Sequence, residues 1–145
     1  TFGFNTSLAY KDWTLAMSAH ANVGNYVYNN VNSDCDLLTD LWANGFVNNR
    51  YHTAQEHNFA TFAQYFSDLY VQDASFLKID NITLSRNFRF NGGKAVPMNF
   101  SIFATVQNVA CITGYEGIDP EIFSGIDNNM YPRPRTWILG VKFNF

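Results

Sequence analysis

The stretch Phe2-Gly-Phe-Asn-Thr-Ser-Leu-Ala-Tyr10, Lys11-Asp12, Trp13-Thr-Leu-Ala-Met-Ser-Ala-His-Ala-Asn22-Val23 decides how the rest of the chain is read. Its first half puts Phe2, Phe4, Leu8 and Tyr10 on even positions and Gly3, Asn5, Ser7 and Ala9 on odd ones. Successive side chains of a strand point to opposite faces, so this alternation marks a strand with one apolar and one polar side. After Lys11-Asp12 the apolar set moves to odd positions (Trp13, Leu15, Met17, Ala19, Ala21, Val23), opposite Thr14, Ala16, Ser18, His20 and Asn22. Two such runs around a short polar turn predict a β-hairpin.

The same period recurs downstream. Ile82, Leu84, Phe88 and Phe90 alternate with Asn81, Thr83, Ser85 and Asn87. Asn91-Gly92-Gly93-Lys94 then supplies a turn, because glycine accepts positive φ. Met98, Phe100, Ile102, Ala104 and Val106 stand opposite Asn99, Ser101, Thr105 and Gln107. Pro97 opens that run, where a missing N–H is tolerated. Trp137, Leu139, Val141, Phe143 and Phe145 close the chain opposite Thr136, Gly140, Lys142 and Asn144. An all-β, antiparallel fold is expected, with strands at about 1–11, 13–27, 75–90, 97–109 and 135–145 and long loops at about 28–74 and 110–134.

Composition narrows the class. A chain of 145 residues predicts one domain, and 47% apolar with 17% aromatic residues argues against disorder. The net charge of −3, with no Lys/Arg cluster, argues against a nucleic-acid partner. No apolar run approaches the roughly 18 residues of a membrane-spanning helix, which leaves only barrels as a route across a bilayer. The chain opens on Thr1 without the pattern of a signal peptide, so the gene is expected to start upstream.

Each run is close to the roughly 9–11 residues that a tilted membrane strand needs. The connections alternate: a tight turn, a long loop, a glycine turn, a long loop. Outer-membrane barrels sort their connections this way, short on the periplasmic side and long outside, whereas a soluble sandwich has no physical reason to do so. If the tight turns are periplasmic, the chain starts outside and ends at the periplasmic face. A bacterial barrel has an even strand count and no open edges, so five strands are expected to be part of a larger barrel. Arg86 falls on the apolar parity, where a charge costs about 2–4 kcal/mol at the bilayer midplane but about 0–1 kcal/mol near an interface. Its place beside Phe88 predicts the interface, with the side chain snorkelling.

Motifs of catalysis are missing: no G-x-S-x-G, no P-loop, and no i, i+4 pair among His20, His52 and His57. No enzyme activity and no cofactor are expected. Cys35 and Cys111 match no metal spacing and are read either as a disulfide or as two separate thiols. Asp119, Glu121 and Asp127 gather in the last long loop, without the spacing of a 12-residue calcium loop. They are read as loop structure, with calcium as the lesser alternative, and Asp119-Pro120-Glu121 as a turn or helix start. His20 and Asn22 share the polar parity of the second strand and are candidate ligand contacts, with plain solvated positions as the alternative. The loop from Asn30 to Tyr70 is rich in aromatic and amide residues, which suit sugar stacking or protein contact, with self-packing as the alternative.

The chain resembles SusC/RagA-type TonB-dependent transporters. The resemblance rests on Val71-Gln-Asp-Ala-Ser-Phe-Leu-Lys-Ile-Asp-Asn-Ile-Thr-Leu84, on Gln107-Asn108, and on Gly114-Tyr115-Glu-Gly117-Ile-Asp119-Pro120-Glu121. It continues through Gly125-Ile-Asp127-Asn-Asn-Met-Tyr131-Pro132-Arg-Pro134-Arg135 and a Gly140-containing strand that ends in Phe145. The resemblance implies the last five or so strands of a 22-stranded outer-membrane barrel that encloses a plug and lies under a SusD-like surface lipoprotein. Oligosaccharide or peptide is imported when TonB pulls on the plug, which belongs to the N-terminal part of such proteins. It implies that this segment supplies wall, lumen and extracellular loops, lies among outer-membrane lipid, and ends in the periplasm. Trp42, Tyr51 and Tyr115 join His20 and Asn22 as candidate ligand contacts. Phe59, Phe62, Tyr65 and Tyr131 are candidate lid contacts, and Phe145 a candidate signal for the barrel-assembly machinery. The competing readings are a non-transporting structural or adhesive barrel and a soluble sugar-binding β-sandwich.

Overall fold

The computed structural model describes residues 1–36, 42–43, 46–47, 65–90, 98–128 and 131–144. In chain order the elements are β1 (Phe2–Tyr10), β2 (Trp13–Asn22), β3 (Tyr26–Tyr28), α1 (Asn30–Cys35), β4 (Trp42–Ala43) and β5 (Phe46–Val47). Then come a 3-10 turn (Asp68–Tyr70), β6 (Val71–Asp73), β7 (Phe76–Phe90), β8 (Met98–Thr113) and β9 (Thr136–Asn144). The chain divides into two compact units, Thr1–Val23 with Phe76–Thr113 and Arg133–Phe145, and Gly24–Ser75 with Gly114–Pro132.

The first unit is a five-stranded sheet in the order β1-β2-β7-β8-β9, every neighbour antiparallel. The β1–β2 hairpin closes at Tyr10 opposite Trp13, with Lys11 in the left-handed region at φ 54°. The Asn87 N–H donates to the Asp12 carbonyl at 2.8 Å, tying this turn to β7.

Register converts the sequence alternation into two distinct faces. On one face Leu8, Leu15, Leu84, Ala104 and Leu139 form a continuous row across all five strands. Thr6, Met17, Ile82, Val106 and Trp137 form the next row, and Tyr10, Trp13, Arg86, Ile102 and Val141 the row beside the Lys11–Asp12 turn. Phe88 stacks on Phe100 at 4.7 Å between centroids, and Phe100 meets Phe143 at 6.2 Å. The other face carries Asn5, Ser18, Asn81, Gln107 and Thr136 in one row and Ser7, Ala16, Thr83, Thr105 and Ile138 in the next. A water-soluble sandwich buries its apolar face against a second sheet. Here Trp137 is 75% exposed and Leu139 79%, with Val141 and Phe143 also exposed. Among the described residues no second sheet covers this apolar face. Among the described residues β1 and β9 each pair on one side only, so the sheet is a β-barrel segment that does not close on itself.

Two strands depart from their expected limits. Gly24, at φ 79°, ends the run of β2, which stops at Asn22 rather than near 27. Tyr26–Tyr28 leaves the sheet and pairs with β6 instead. At its far end β8 continues to Thr113 rather than stopping near 109. The ladder is interrupted where Asn81 faces Gln107 and resumes where Ile79 faces Ala110, with Asn108 at φ 52° in the gap. Arg135 donates to the Val109 carbonyl at 2.7 Å, satisfying backbone in the bulge, and the Asn108 amide donates to the Pro134 carbonyl at 2.8 Å.

The second unit is built from the two long connections together. Val27, Ala74 and Tyr115 form its small apolar core, with Ile122 packed on it. The Tyr28 N–H donates to the Gly125 carbonyl and the Asp127 N–H to the Tyr28 carbonyl, both at 2.9 Å. Asn29 caps α1 through its side-chain oxygen, which accepts the Asn32 N–H at 2.9 Å. The helical stretch described in this unit is Asn30–Cys35. The glycine turn at 91–94 lies outside the described residues.

Candidate functional site

A β-bulge on the polar face of the sheet concentrates its chemistry. Ser18 faces Asn81 and Ala19 faces Ile79, which leaves Asp80 as an extra residue in β7. A bulge re-aims side chains, and this one brings the Asp80 carboxylate to His20. The imidazole Nδ1 lies 2.9 Å from both carboxylate oxygens. Phe76, almost fully buried, meets the His20 ring edge-on at 5.3 Å between centroids. The Lys78 ammonium sits 5.1 Å over the same Phe76 ring, and Lys78 is only 9% exposed. Lys78 is in register with His20 on one side and Cys111 on the other. The Phe76 ring thus packs against an imidazole and an ammonium, and the imidazole holds the acid, on a surface rich in hydroxyls and amides.

Beside this cluster the polar rows are cross-linked. The Asn81 amide donates to the Ser18 hydroxyl at 2.7 Å, and the Thr83 and Thr105 hydroxyls share a bond at 2.8 Å. Cross-strand pairs of this kind contribute about 0.2–1 kcal/mol each and fix the rotamers of the donors they use. Asn5, Ser7, Ser18 and Asn81 line a shallow depression here. The arrangement suits hydrogen bonding to a polar, uncharged ligand, with one charged group of each sign for orientation.

In the second unit the polar groups are mostly committed to structure. The Tyr115 hydroxyl donates to Asp127 at 2.7 Å, and Tyr115 is 6% exposed. Tyr115 therefore packs as a core residue of the second unit. Its neighbour Gly117 has no room for a Cβ, which would overlap the Tyr115 ring and the Asp127 carboxylate. Asp119 accepts the Glu121 N–H at 2.9 Å, and the Ile122 N–H donates to the Pro120 carbonyl, so Asp119-Pro120-Glu121 forms a turn without a helix. These bonds engage the Asp119 and Asp127 carboxylates, two of the three weak calcium candidates, while Glu121 contributes its backbone N–H, and among the described residues no three His, Cys, Asp or Glu side chains group as a metal site.

The Tyr70 hydroxyl donates to Asp36 at 2.8 Å inside this unit, and burial first, then that bond, pushes its phenol up from the usual range. The Tyr28 hydroxyl donates to Ser33 and accepts the Phe66 N–H, each at 2.9 Å. A shallow groove of about 330 Å³ is lined by Gln72, Asp73, Ser75, Gly114 and Glu116. Ser75 donates to Asp73 through its hydroxyl and its backbone N–H, which holds that carboxyl below its usual range.

The remaining candidates fall as follows. Asn22 accepts the Thr1 hydroxyl at 3.2 Å at the end of β2. Trp42 opens the short β4–β5 ladder, its side chain outside the described residues. Tyr65 and Tyr131 are exposed. Tyr51, Phe59, Phe62 and Phe145 lie outside the described residues. No disulfide joins Cys35 and Cys111: both are thiols, one ending a helix in the second unit and the other within β8. Sequence reasoning did not single out Lys78, Asp80 or Phe76. The signal was the slip of apolar parity between Ile79 and Ile82, which is how a bulge registers in a periodic strand.

Known proteins bear on this arrangement. No family model matches the chain. It is 34% identical, over 99% of its length, to the TonB-dependent receptor SusC of Bacteroides thetaiotaomicron, and 25% identical, over 100% of its length, to the TonB-dependent receptor P3 of Formosa agariphila. It covers 15% and 16% of those relatives. A solved structure of the RagAB peptide importer in its closed-closed state matches 99% of the chain with a TM-score of 0.79 at 21% identity, the chain covering 17% of it.

Proposed function

We propose, from the premise that this chain is a segment of a SusC/RagA-like TonB-dependent transporter, that it supplies wall, lumen surface and extracellular loops to an outer-membrane nutrient importer. The observation that carries this reading is the register itself: the row Leu8, Leu15, Leu84, Ala104 and Leu139 runs unbroken across five strands on a mainly apolar face, while amides and hydroxyls predominate on the other. In a barrel wall the first face meets hydrocarbon and the second meets water. The two long connections leave and rejoin the sheet at one end, after Asn22 and Thr113 and before Phe76 and Thr136, which supports their assignment to the extracellular side. β9 then runs toward the periplasmic side.

The ligand is an oligosaccharide or a peptide. Both classes present dense hydroxyl or amide groups, and the polar rows around Ser18, Asn81, Thr83 and Thr105 offer donors and acceptors at strand spacing. His20 and Asn22 contact it from the wall, and Trp42 and Tyr51 from the loop. The His20–Asp80 pair, held by Phe76, orients the imidazole toward the passage. A SusD-like lipoprotein covers the loops through Phe59, Phe62, Tyr65 and Tyr131. Gating comes from a plug pulled by TonB, through parts of the transporter other than this segment. No catalytic step is assigned to the chain.

The test uses the intact gene. The encoded protein should carry a plug domain upstream of Thr1, require detergent for extraction, and migrate faster on gels unheated than boiled. Cells lacking it should lose uptake of one ligand, identified by mass spectrometry of material co-purified with the transporter. A protein soluble without detergent, or a gene encoding no plug, overturns the proposal.

A further inference from the structure

Arg86 stands in the apolar face, opposite Trp13 on β2 and Ile102 on β8, and it is exposed. Its guanidinium carbon lies 5.0 Å from the centre of the Trp13 ring and 4.8 Å from that of Phe88. Among the described residues no carboxylate pairs with it. Trp13 in turn faces Tyr10, and the Lys11 ammonium lies 5.3 Å over the Tyr10 ring. Tyr10 and Trp13 thus stand in one row with Arg86, Phe88 lies two residues along β7, and cations meet these rings at Lys11 and Arg86.

A guanidinium beside aromatic rings is attracted to their faces through its charge and keeps its N–H donors for a further partner. The five N–H donors of Arg lie in the plane of the group, where they match the oxygens of a phosphate two at a time. A cation on a lipid-facing position needs an anionic partner or water, and aromatic rows mark the depth at which headgroups supply both. The leucine row of Leu8, Leu15, Leu84 and Leu139 lies next to Arg86 on the same face, where acyl chains attached to such a phosphate would run.

We propose that Arg86, assisted by Lys11, is a binding site for the phosphate of a phospholipid headgroup on the outer wall of the barrel. Trp13 and Phe88 flank the guanidinium, and the Lys11 ammonium lies over the Tyr10 ring. The site anchors the segment at the periplasmic-side interface. This inference rests on the proposed membrane-facing role of the apolar face.

The test uses the full-length transporter in detergent, titrated with phosphatidylglycerol, with bound lipid counted by native mass spectrometry. Diacylglycerol with the same chains and inorganic phosphate serve as comparison probes. Arg86→Gln should weaken the tightest phosphatidylglycerol site about fivefold, the effect of one basic residue at a lipid surface. Arg86→Lys should fall between the two, because it keeps the charge and loses the planar fork. Diacylglycerol binding should not change with the substitution. Equal phosphatidylglycerol binding by wild type and Arg86→Gln overturns the proposal, as does full displacement of the lipid by an equal concentration of inorganic phosphate. Heat-modifiable migration is read on every variant. A protein that shows none, and needs no detergent, sinks the barrel reading, whereas a heat-modifiable protein with unchanged lipid binding sinks only the lipid site.

Discussion

Phe103 and Gly140 face each other across the β8–β9 ladder, and the outer edge of the Phe103 ring fills the space that a Cβ on Gly140 would occupy. An aromatic ring laid over a cross-strand glycine shields backbone that glycine leaves bare, and it pins the register of the pair. Gly140→Val should therefore displace the ring and destabilise the barrel by about 1–3 kcal/mol, the usual cost of overpacking. The temperature at which the unheated gel form is lost reads the effect. With Phe103→Ala in the background, the same substitution should cost much less, since the space is then vacant.

Tyr115→Phe should weaken the second unit and leave ligand affinity unchanged. It removes the bond to Asp127, itself 2% exposed, and leaves that carboxylate short of a donor. A buried polar group so stranded costs about 1–3 kcal/mol. Faster protease cleavage within 24–75 or 114–132, in a barrel that is still heat-modifiable, is the expected result. Gly117→Ala should produce the same cleavage pattern, because its Cβ displaces both members of the bond.

These two positions show what could and could not be read from residues alone. The strands were legible because one face is apolar and one polar, and a period of two survives any tertiary arrangement. The bulge at Asp80 was legible only as the parity slip after Ile79, so the grouping of Phe76, Lys78 and Asp80 with His20 needed coordinates. The second unit carried no period of two. Its organising bonds join Tyr28 to Gly125 and Tyr70 to Asp36, pairs chosen by loop geometry rather than by pattern. An aromatic residue among amides has the same composition whether it packs inward, as Tyr115 does, or stands in solvent, as Tyr131 does.

The His20–Asp80 pair should behave as a unit toward ligand. His20→Gln and Asp80→Asn are each expected to reduce ligand affinity, and the double variant should lose less than their sum. Coupling of about 0.5–3 kcal/mol is normal for groups in direct contact. Titration calorimetry on the purified transporter with its co-purified ligand measures it. Strict additivity would show that the carboxylate does not act through the imidazole.

Base should loosen the second unit before it unfolds the sheet. Tyr70 keeps its proton in the folded state well above the pH at which an unfolded tyrosine loses it, so the folded form binds the extra proton. Stability from this group is whole below about pH 10 and falls as pH rises beyond it. Protease sensitivity of the second unit should climb through that range while heat-modifiable migration persists. In Tyr70→Phe the pH dependence should flatten, at the expense of the bond to Asp36.

The open sides of β1 and β9 have a practical result for anyone handling the segment by itself. Each offers a ladder of unspent N–H and C=O groups, and the greasy flank behind them has no bilayer to enter in a test tube. Copies released into buffer would stitch strand to strand into ribbons, so useful material has to come from the whole gene.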